Sequence, residues 1–125
     1  MSAKILLVED NENNRYLAQF LLQRHGYSVS LAVNGNEALQ SARLAKPDLV
    51  VMDIQMPEMD GYETAACFKS DPALAAIPLV GISSFAMVGD RTKALKMGFA
   101  GYIEKPINPE TFAQEVGRFL DSPNT

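Results

Sequence analysis

The chain has 125 residues, of which 47% are hydrophobic, and this is enough to bury the core of one domain. Its net charge is −4 and its lysines and arginines are scattered, which argues against a nucleic-acid-binding surface. The single cysteine, Cys67, excludes an internal disulfide, and no apolar run has the length of a membrane span. We expect one cytoplasmic domain over residues 1–125, with a frayed tail at residues 122–125.

Five short strands are predicted along the chain. Continuous apolar runs at residues 5–8, 49–52 and 77–82 are typical of parallel strands that are buried on both faces. Residues 28–31 alternate between polar and apolar, as an edge strand would, and residues 102–103 are a short fifth candidate.

The first predicted helix has apolar residues three and four positions apart and should end at Gly26. The predicted face of this helix consists of Leu17, Phe20, Leu21 and Arg24. A fourth helix, with a weaker pattern, is predicted over residues 88–97.

Capping residues predict where the other helices begin. Asn34 and Asp60 each stand three positions before a glutamate, which is the pattern of an N-cap, and they predict the starts of the second and third helices. Asn108, followed by Pro109, predicts the start of the fifth helix in the same way, because proline is favoured in the first turn.

Strands that alternate with helices predict a doubly wound parallel sheet, in which functional residues collect beyond the carboxyl ends of the strands. The residues predicted at those ends form one chemically compatible set. They are Glu9 and Asp10 after the first strand, Asp53 after the third, Ser83 and Ser84 after the fourth, and Lys105 after the fifth.

Clustered carboxylates repel one another by roughly 4 kcal/mol for each pair about 4 Å apart in a partly buried site, and one lysine offsets only part of this energy. A divalent cation removes the repulsion, and a set of oxygen ligands suits Mg²⁺. The predicted ligands are Asp10, Asp53 and the backbone carbonyl of Gln55, with Glu9 assisting through a water molecule.

A carboxylate beside a cation and a lysine can accept a phosphoryl group, so Asp53 is the predicted nucleophile and Ser83 a predicted donor to a phosphoryl oxygen. Two other functions compete with this interpretation. An aspartyl-nucleophile phosphohydrolase usually needs a second aspartate where Gln55 stands. A flavodoxin-like cofactor binder needs a first loop that cradles phosphate, whereas the loop EDNENN begins with two carboxylates.

Four motifs stand out along the chain: ILLVEDN (5–11), DLVVMDIQMPEMDG (48–61), GISSFA (81–86) and GYIEKPI (101–107). In these motifs the chain resembles, from Lys4 to Leu120, the CheY-like receiver domains of two-component response regulators. Within that family, residues 83–107 are similar to those of DivK-like single-domain regulators. The resemblance implies a flavodoxin-like fold of five βα units with strand order 2-1-3-4-5.

The resemblance also implies a role for each matching residue. Asp53 would accept the phosphoryl group of a phosphohistidine on a histidine kinase or a phosphotransfer protein, while Glu9 and Asp10 hold Mg²⁺. Ser83 takes the switch hydroxyl position and Tyr102 the switch aromatic position. Lys105 would contact the phosphoryl group, and its peptide bond to Pro106 is expected to be cis. Ser84 is small enough to leave room for the moving hydroxyl. Gln55 and Phe85 would admit or exclude the water molecule that removes the phosphoryl group.

Such a protein would turn over no external metabolite. A downstream partner would bind the surface formed by the fourth helix, the fifth strand and the fifth helix, and its affinity would depend on phosphorylation. The alternative left open by the resemblance is a receiver domain cut from a hybrid histidine kinase or from a multidomain regulator.

Overall fold

The computed structural model describes residues 3–56, 60–83 and 88–121. The predictions for Ser84, Phe85 and the tail at 122–125 fall outside these described residues. None of the helices within the described ranges combines the length and the apolar character that crossing a bilayer requires.

Strands and helices alternate along the described chain. The strands are β1 (Lys4–Val8), β2 (Ser28–Ala32), β3 (Leu49–Asp53), β4 (Leu79–Ser83) and β5 (Gly101–Glu104). The helices are α1 (Glu12–Arg24), α2 (Gly35–Ala45), α3 (Gly61–Ser70), α4 (Val88–Lys96) and α5 (Phe112–Asp121).

The strands form one parallel sheet in the order β2-β1-β3-β4-β5, which confirms the predicted fold and the edge position of β2. Val8 of β1 pairs with Met52 of β3, so Glu9 and Asp53, the next residues, lie level at the same edge. Ser83 pairs with Glu104 at the end of β5. The chain changes winding direction between β1 and β3, and in such sheets the crevice at this point is the usual binding site.

Helices cover both faces of the sheet. Successive side chains of a strand point to opposite faces, so Ile5 and Leu7 pack with residues of α1 and α5, while Leu6 and Val8 pack with residues of α2 and α3. All four side chains are buried. This burial on two sides explains why β1 consists of consecutive apolar residues instead of alternating ones.

The predicted caps of α2 and α3 are present. The Asn34 side chain accepts a hydrogen bond from the backbone N–H of Glu37 at 2.8 Å. Asp60 and Glu63 form a complete capping box, in which each side chain accepts from the backbone N–H of the other residue. These bonds satisfy N–H groups that have no partner inside the helix, so both helices begin where the sequence predicts.

The predicted face of α1 is wrong except at Leu21, which is half-buried and packs against the core. Ala18 and Leu22 are the buried residues of this helix, whereas Leu17 is 38% exposed and Phe20 is 47% exposed. Ala18 and Leu22 lie four positions apart and therefore on one side of the helix. The helix therefore packs on the sheet through Ala18 and Leu22, and Leu17 and Phe20 of the predicted face remain on the surface.

The predicted start of α5 is also wrong, because the helix begins at Phe112 and not at Asn108. The Asn108 side chain accepts from the backbone N–H of Glu110 at 2.9 Å. The Asn108 carbonyl accepts from the N–H groups of Thr111 and Phe112. Asn108 thus makes the bonds expected of an N-cap, but they close a single turn that precedes the regular helix.

Candidate functional site

Three acidic residues from two neighbouring strand ends form a compact group. Glu9 and Asp53 are buried, with 4% and 3% of their surface exposed, whereas Asp10 is exposed. One carboxylate oxygen from each of the three residues lies within 4.8 Å of the others. This is the group of side chains that the sequence predicts as a metal site.

The carboxylate of Asp53 is held on both sides. Its Oδ1 atom accepts a hydrogen bond from the backbone N–H of Gln55 at 3.0 Å. Its Oδ2 atom accepts from Lys105 Nζ at 3.1 Å, and the same ammonium lies 3.2 Å from Glu9 Oε1. Lys105 therefore joins the end of β5 to the acidic group at the ends of β1 and β3.

The other predicted residues lie at different distances from this group. Ser83 is buried at the end of β4, and its backbone carbonyl accepts from the N–H of Lys105 at 2.8 Å. Tyr102 is buried in β5, where it pairs with Gly81 of β4, three residues before Lys105. The peptide bond between Lys105 and Pro106 is cis. The acidic group is thus contacted by Lys105 directly, and Ser83 is joined to it through the backbone of Lys105.

Gly61, the first residue of α3, has a structural role that is absent from the sequence predictions. The Gly61 N–H donates to the carbonyl of Ile54 at 2.8 Å, so the chain returns to the end of β3 after the loop. A Cβ atom on Gly61 would lie 2.6 Å from Ile54 Cα and 3.2 Å from the Asp53 carbonyl oxygen. The signal for this role, a glycine directly after an N-cap, was present, but only the fold reveals what lies against it.

The charges of the site are not balanced. Burial, followed by the hydrogen bond and the charge of Asp53, raises the pKa of Glu9 to about 7, although the Asn11 N–H and Lys105 act in the opposite direction. Burial tends to lower the pKa of Lys105, but its hydrogen bonds and charge interactions with Asp53 and Glu9 outweigh burial and raise that pKa. One ammonium therefore leaves an excess of negative charge among the three carboxylates.

This imbalance predicts a pH dependence of stability in metal-free buffer. Because the pKa of Glu9 rises from 4.5 to about 7 on folding, its contribution to stability is fully present below pH 4.5 and is lost as the pH rises through 7. One pKa unit corresponds to about 1.4 kcal/mol, so the loss is at most about 3 kcal/mol. Urea unfolding in EDTA between pH 4.5 and 8 measures it.

The Glu9→Gln variant cannot ionise at this position, so its free energy of unfolding should vary less with pH over the same range. Glu12→Gln, which removes a carboxylate from the first turn of α1, is the control and should keep the wild-type slope. Parallel pH profiles for the wild type and Glu9→Gln would contradict the prediction.

The family model of the response regulator receiver domain matches residues 5–117 of this chain. The chain therefore belongs to the response regulator receiver family. It is 39% identical over 120 residues to the polar-differentiation response regulator DivK of Brucella anthropi, an alignment that covers 96% of this chain and 98% of the relative.

Two solved structures are similar to this fold. The chemotaxis response regulator CheY4 of Vibrio cholerae is 30% identical with a TM-score of 0.88, over 94% of this chain and 98% of that one. The receiver domain of the sensor histidine kinase PA1611 from Pseudomonas aeruginosa is also 30% identical with a TM-score of 0.88, over 98% of this chain and all of that one. In that structure a magnesium ion is coordinated in the active-site cleft.

Proposed function

We propose that this protein is a single-domain response regulator that accepts a phosphoryl group on Asp53 from a phosphohistidine of a histidine kinase or phosphotransfer protein. The observation that carries the proposal is the pair of contacts made by the Asp53 carboxylate, with Lys105 Nζ at 3.1 Å and with the acidic group of Glu9 and Asp10. A carboxylate in such surroundings can act as a nucleophile, since the charge that arrives with the phosphoryl group meets a cation.

The donor set fits Mg²⁺. Three carboxylates lie within reach of one ion, all the ligand atoms are oxygens, and one ammonium leaves negative charge unbalanced. Asp10 and Asp53 would bind the ion directly together with the backbone carbonyl of Gln55, and Glu9 would act through water. When bound, Mg²⁺ supplies neutralisation of the charge on the carboxylates and on the phosphoryl oxygens.

In the proposed transfer, a carboxylate oxygen of Asp53 forms a bond to phosphorus while the bond between phosphorus and the donor imidazole nitrogen breaks. The electron pair of that bond stays on the nitrogen, so the donor becomes an ordinary histidine. The Gln55 N–H holds one carboxylate oxygen of Asp53, and Lys105 stands beside the other, where it can donate to a phosphoryl oxygen.

Phosphorylation would be read out through Ser83 and Tyr102. The Ser83 hydroxyl is proposed to turn toward a phosphoryl oxygen, and the buried ring of Tyr102 on the adjacent strand would follow this movement. A downstream protein would then bind the surface formed by α4, β5 and α5. Gln55 and Phe85 would control how quickly water removes the phosphoryl group, although Phe85 lies outside the described residues.

The phosphodonor protein needs a surface beside the site on which to dock, and α1 offers one. A cavity of about 100 Å³ is lined by Glu9 and Lys105 together with Leu17 and Ala18 of α1. Exposed apolar side chains of α1 continue from this cavity to Phe20. This supports an approach of the donor protein over α1.

A second candidate is a receiver domain within a larger histidine kinase. The similarity to the receiver domain of the kinase PA1611, which covers all of that domain, favours it. Both candidates share the chemistry of Asp53 and differ in the protein that carries the receiver.

Addition of beryllofluoride, a phosphoryl analogue, with Mg²⁺ tests the proposal. Backbone amide NMR signals of Ser83 and Tyr102 are expected to shift when both reagents are present, because the analogue would engage the Asp53 carboxylate and the Ser83 hydroxyl. The controls are Mg²⁺ alone and beryllofluoride in EDTA. An unchanged spectrum, or equal shifts in EDTA, would overturn the proposal.

A further inference from the structure

Arg15, the fourth residue of α1, turns its side chain back toward the acidic group. Its Nη1 atom donates to the backbone carbonyl of Glu9 at 2.9 Å and to that of Asp10 at 3.3 Å. Its own backbone N–H donates to the carbonyl of Asn11, the first hydrogen bond of the helix. Arg15 therefore links the start of α1 to the loop that carries two of the acidic side chains.

The two carbonyls bound by Arg15 belong to the peptide groups on either side of the Asp10 Cα atom. A residue between two fixed peptide planes has little freedom in φ and ψ, because these are the soft dihedrals of the backbone. The φ and ψ angles of Asp10 set the direction in which its side chain leaves the backbone. One guanidinium nitrogen thus restrains the backbone that aims this carboxylate.

Asp10 depends on such a restraint more than the other two carboxylates of the acidic group, Glu9 and Asp53, do. Glu9 and Asp53 are buried, and their carboxylates contact Lys105. Asp10 is exposed, and its contact with Arg15 is made through the backbone carbonyl. Without Arg15, mutual repulsion among the carboxylates would favour conformations that turn Asp10 toward solvent.

The position of Arg15 also needs an explanation. A cation near the amino end of a helix is unfavourable, since that end of the helix dipole is positive. Two carbonyl acceptors offset this cost. Within the described part of the chain the ion pairs of Glu9 and Asp53 are with Lys105, so the guanidinium does not take the place of a cation among the carboxylates.

We propose that Arg15 is a positioning residue that presets Asp10 for a divalent cation. This inference rests on the Mg²⁺ site of the proposed function. Part of the affinity for the ion would then come from a side chain that does not contact it. In metal sites generally, residues that hold a ligand in place raise the affinity in this way.

The test compares Arg15→Met with Arg24→Met by titrating Mg²⁺ into the EDTA-dialysed full chain, with isothermal calorimetry and amide NMR as readouts. Arg24 lies in the last turn of the same helix, so its variant removes the same charge at a distance. We expect Arg15→Met to bind Mg²⁺ roughly tenfold more weakly and Arg24→Met to match the wild type. The Asp10 amide signal should shift in Arg15→Met before any metal is added.

The loss in Arg15→Met should persist at an ionic strength of about 1 M, where charge effects are screened within about 3 Å. Equal affinities of the wild type and Arg15→Met, equal losses in both variants, or a loss that disappears in high salt would overturn the positioning role. A wild type that binds no Mg²⁺ would overturn the metal site and this proposal with it. If Arg15→Met does not fold, Arg15→Gln, whose side chain is too short to reach both carbonyls and carries no charge, replaces it, and an unchanged affinity of Arg15→Gln would equally overturn the role.

Discussion

The Asp53→Asn variant is expected to incorporate no phosphate from acetyl phosphate and Mg²⁺, whereas the wild type gains one phosphoryl group. An amide of the same size lacks the nucleophilic oxygen anion, so the step that forms the bond to phosphorus is lost completely. The variant should still fold, because Lys105 keeps its contact with Glu9 at 3.2 Å and the repulsion between Glu9 and Asp53 is removed.

The matched control for this experiment is Asp48→Asn, which makes the same chemical change at the opposite end of β3. Asp48 is exposed, and its carboxylate accepts from the backbone N–H of Lys4 at 2.8 Å, far from the acidic group along the strand. Mass spectrometry of the intact protein should show the added phosphoryl group in this control. A phosphorylated Asp53→Asn protein, or an Asp48→Asn protein without phosphate, would contradict the assignment of Asp53.

The Gly61→Ala variant is expected to lose about 3 kcal/mol of its free energy of unfolding, because a close contact with backbone cannot be relieved by rotating a side chain. The added Cβ atom would lie 2.6 Å from Ile54 Cα, so either α3 or the end of β3 must move. Since Gln55 holds the Asp53 carboxylate from the same segment, the affinity for Mg²⁺ should fall as well.

The sign of this effect is diagnostic, since replacing glycine by alanine in a helix normally stabilises it by up to about 1 kcal/mol. Ala66→Gly, at an exposed position of α3, measures the size of this helix propensity in the same helix. Urea unfolding and a Mg²⁺ titration of both variants give the comparison. A Gly61→Ala protein as stable as the wild type, with unchanged affinity for Mg²⁺, would show that the loop adapts without cost.

The fold was predictable because each strand carries its own signal. Consecutive apolar residues at 5–8 and 49–52 indicate strands with two covered faces, and this alone favours a parallel sheet between helices. The convergence of the acidic group and Lys105 was predictable for a related reason, since parallel strands bring their carboxyl ends to one edge. Asp53 and Lys105 are 52 positions apart in the chain, yet their side chains form a contact of 3.1 Å.

Two errors have a common physical origin. The face of α1 was predicted from the spacing of Leu17, Phe20, Leu21 and Arg24, but the fully buried residues are Ala18 and Leu22, and Phe20 remains on the surface. The start of α5 was predicted from Asn108, which instead stabilises a turn. In both places the local pattern allows more than one arrangement, and residue types alone do not decide between them.

The sequence by itself determined the type and order of the strands and helices, the acidic group and its lysine, because these depend on local periodicity and on the rule that parallel strands end at one edge. Only the tertiary structure decided which surface of α1 is buried, why Gly61 must lack a side chain, and that Arg15 restrains the loop of Asp10. These features depend on distances between backbone atoms of different segments, and no local pattern of residue types encodes such distances.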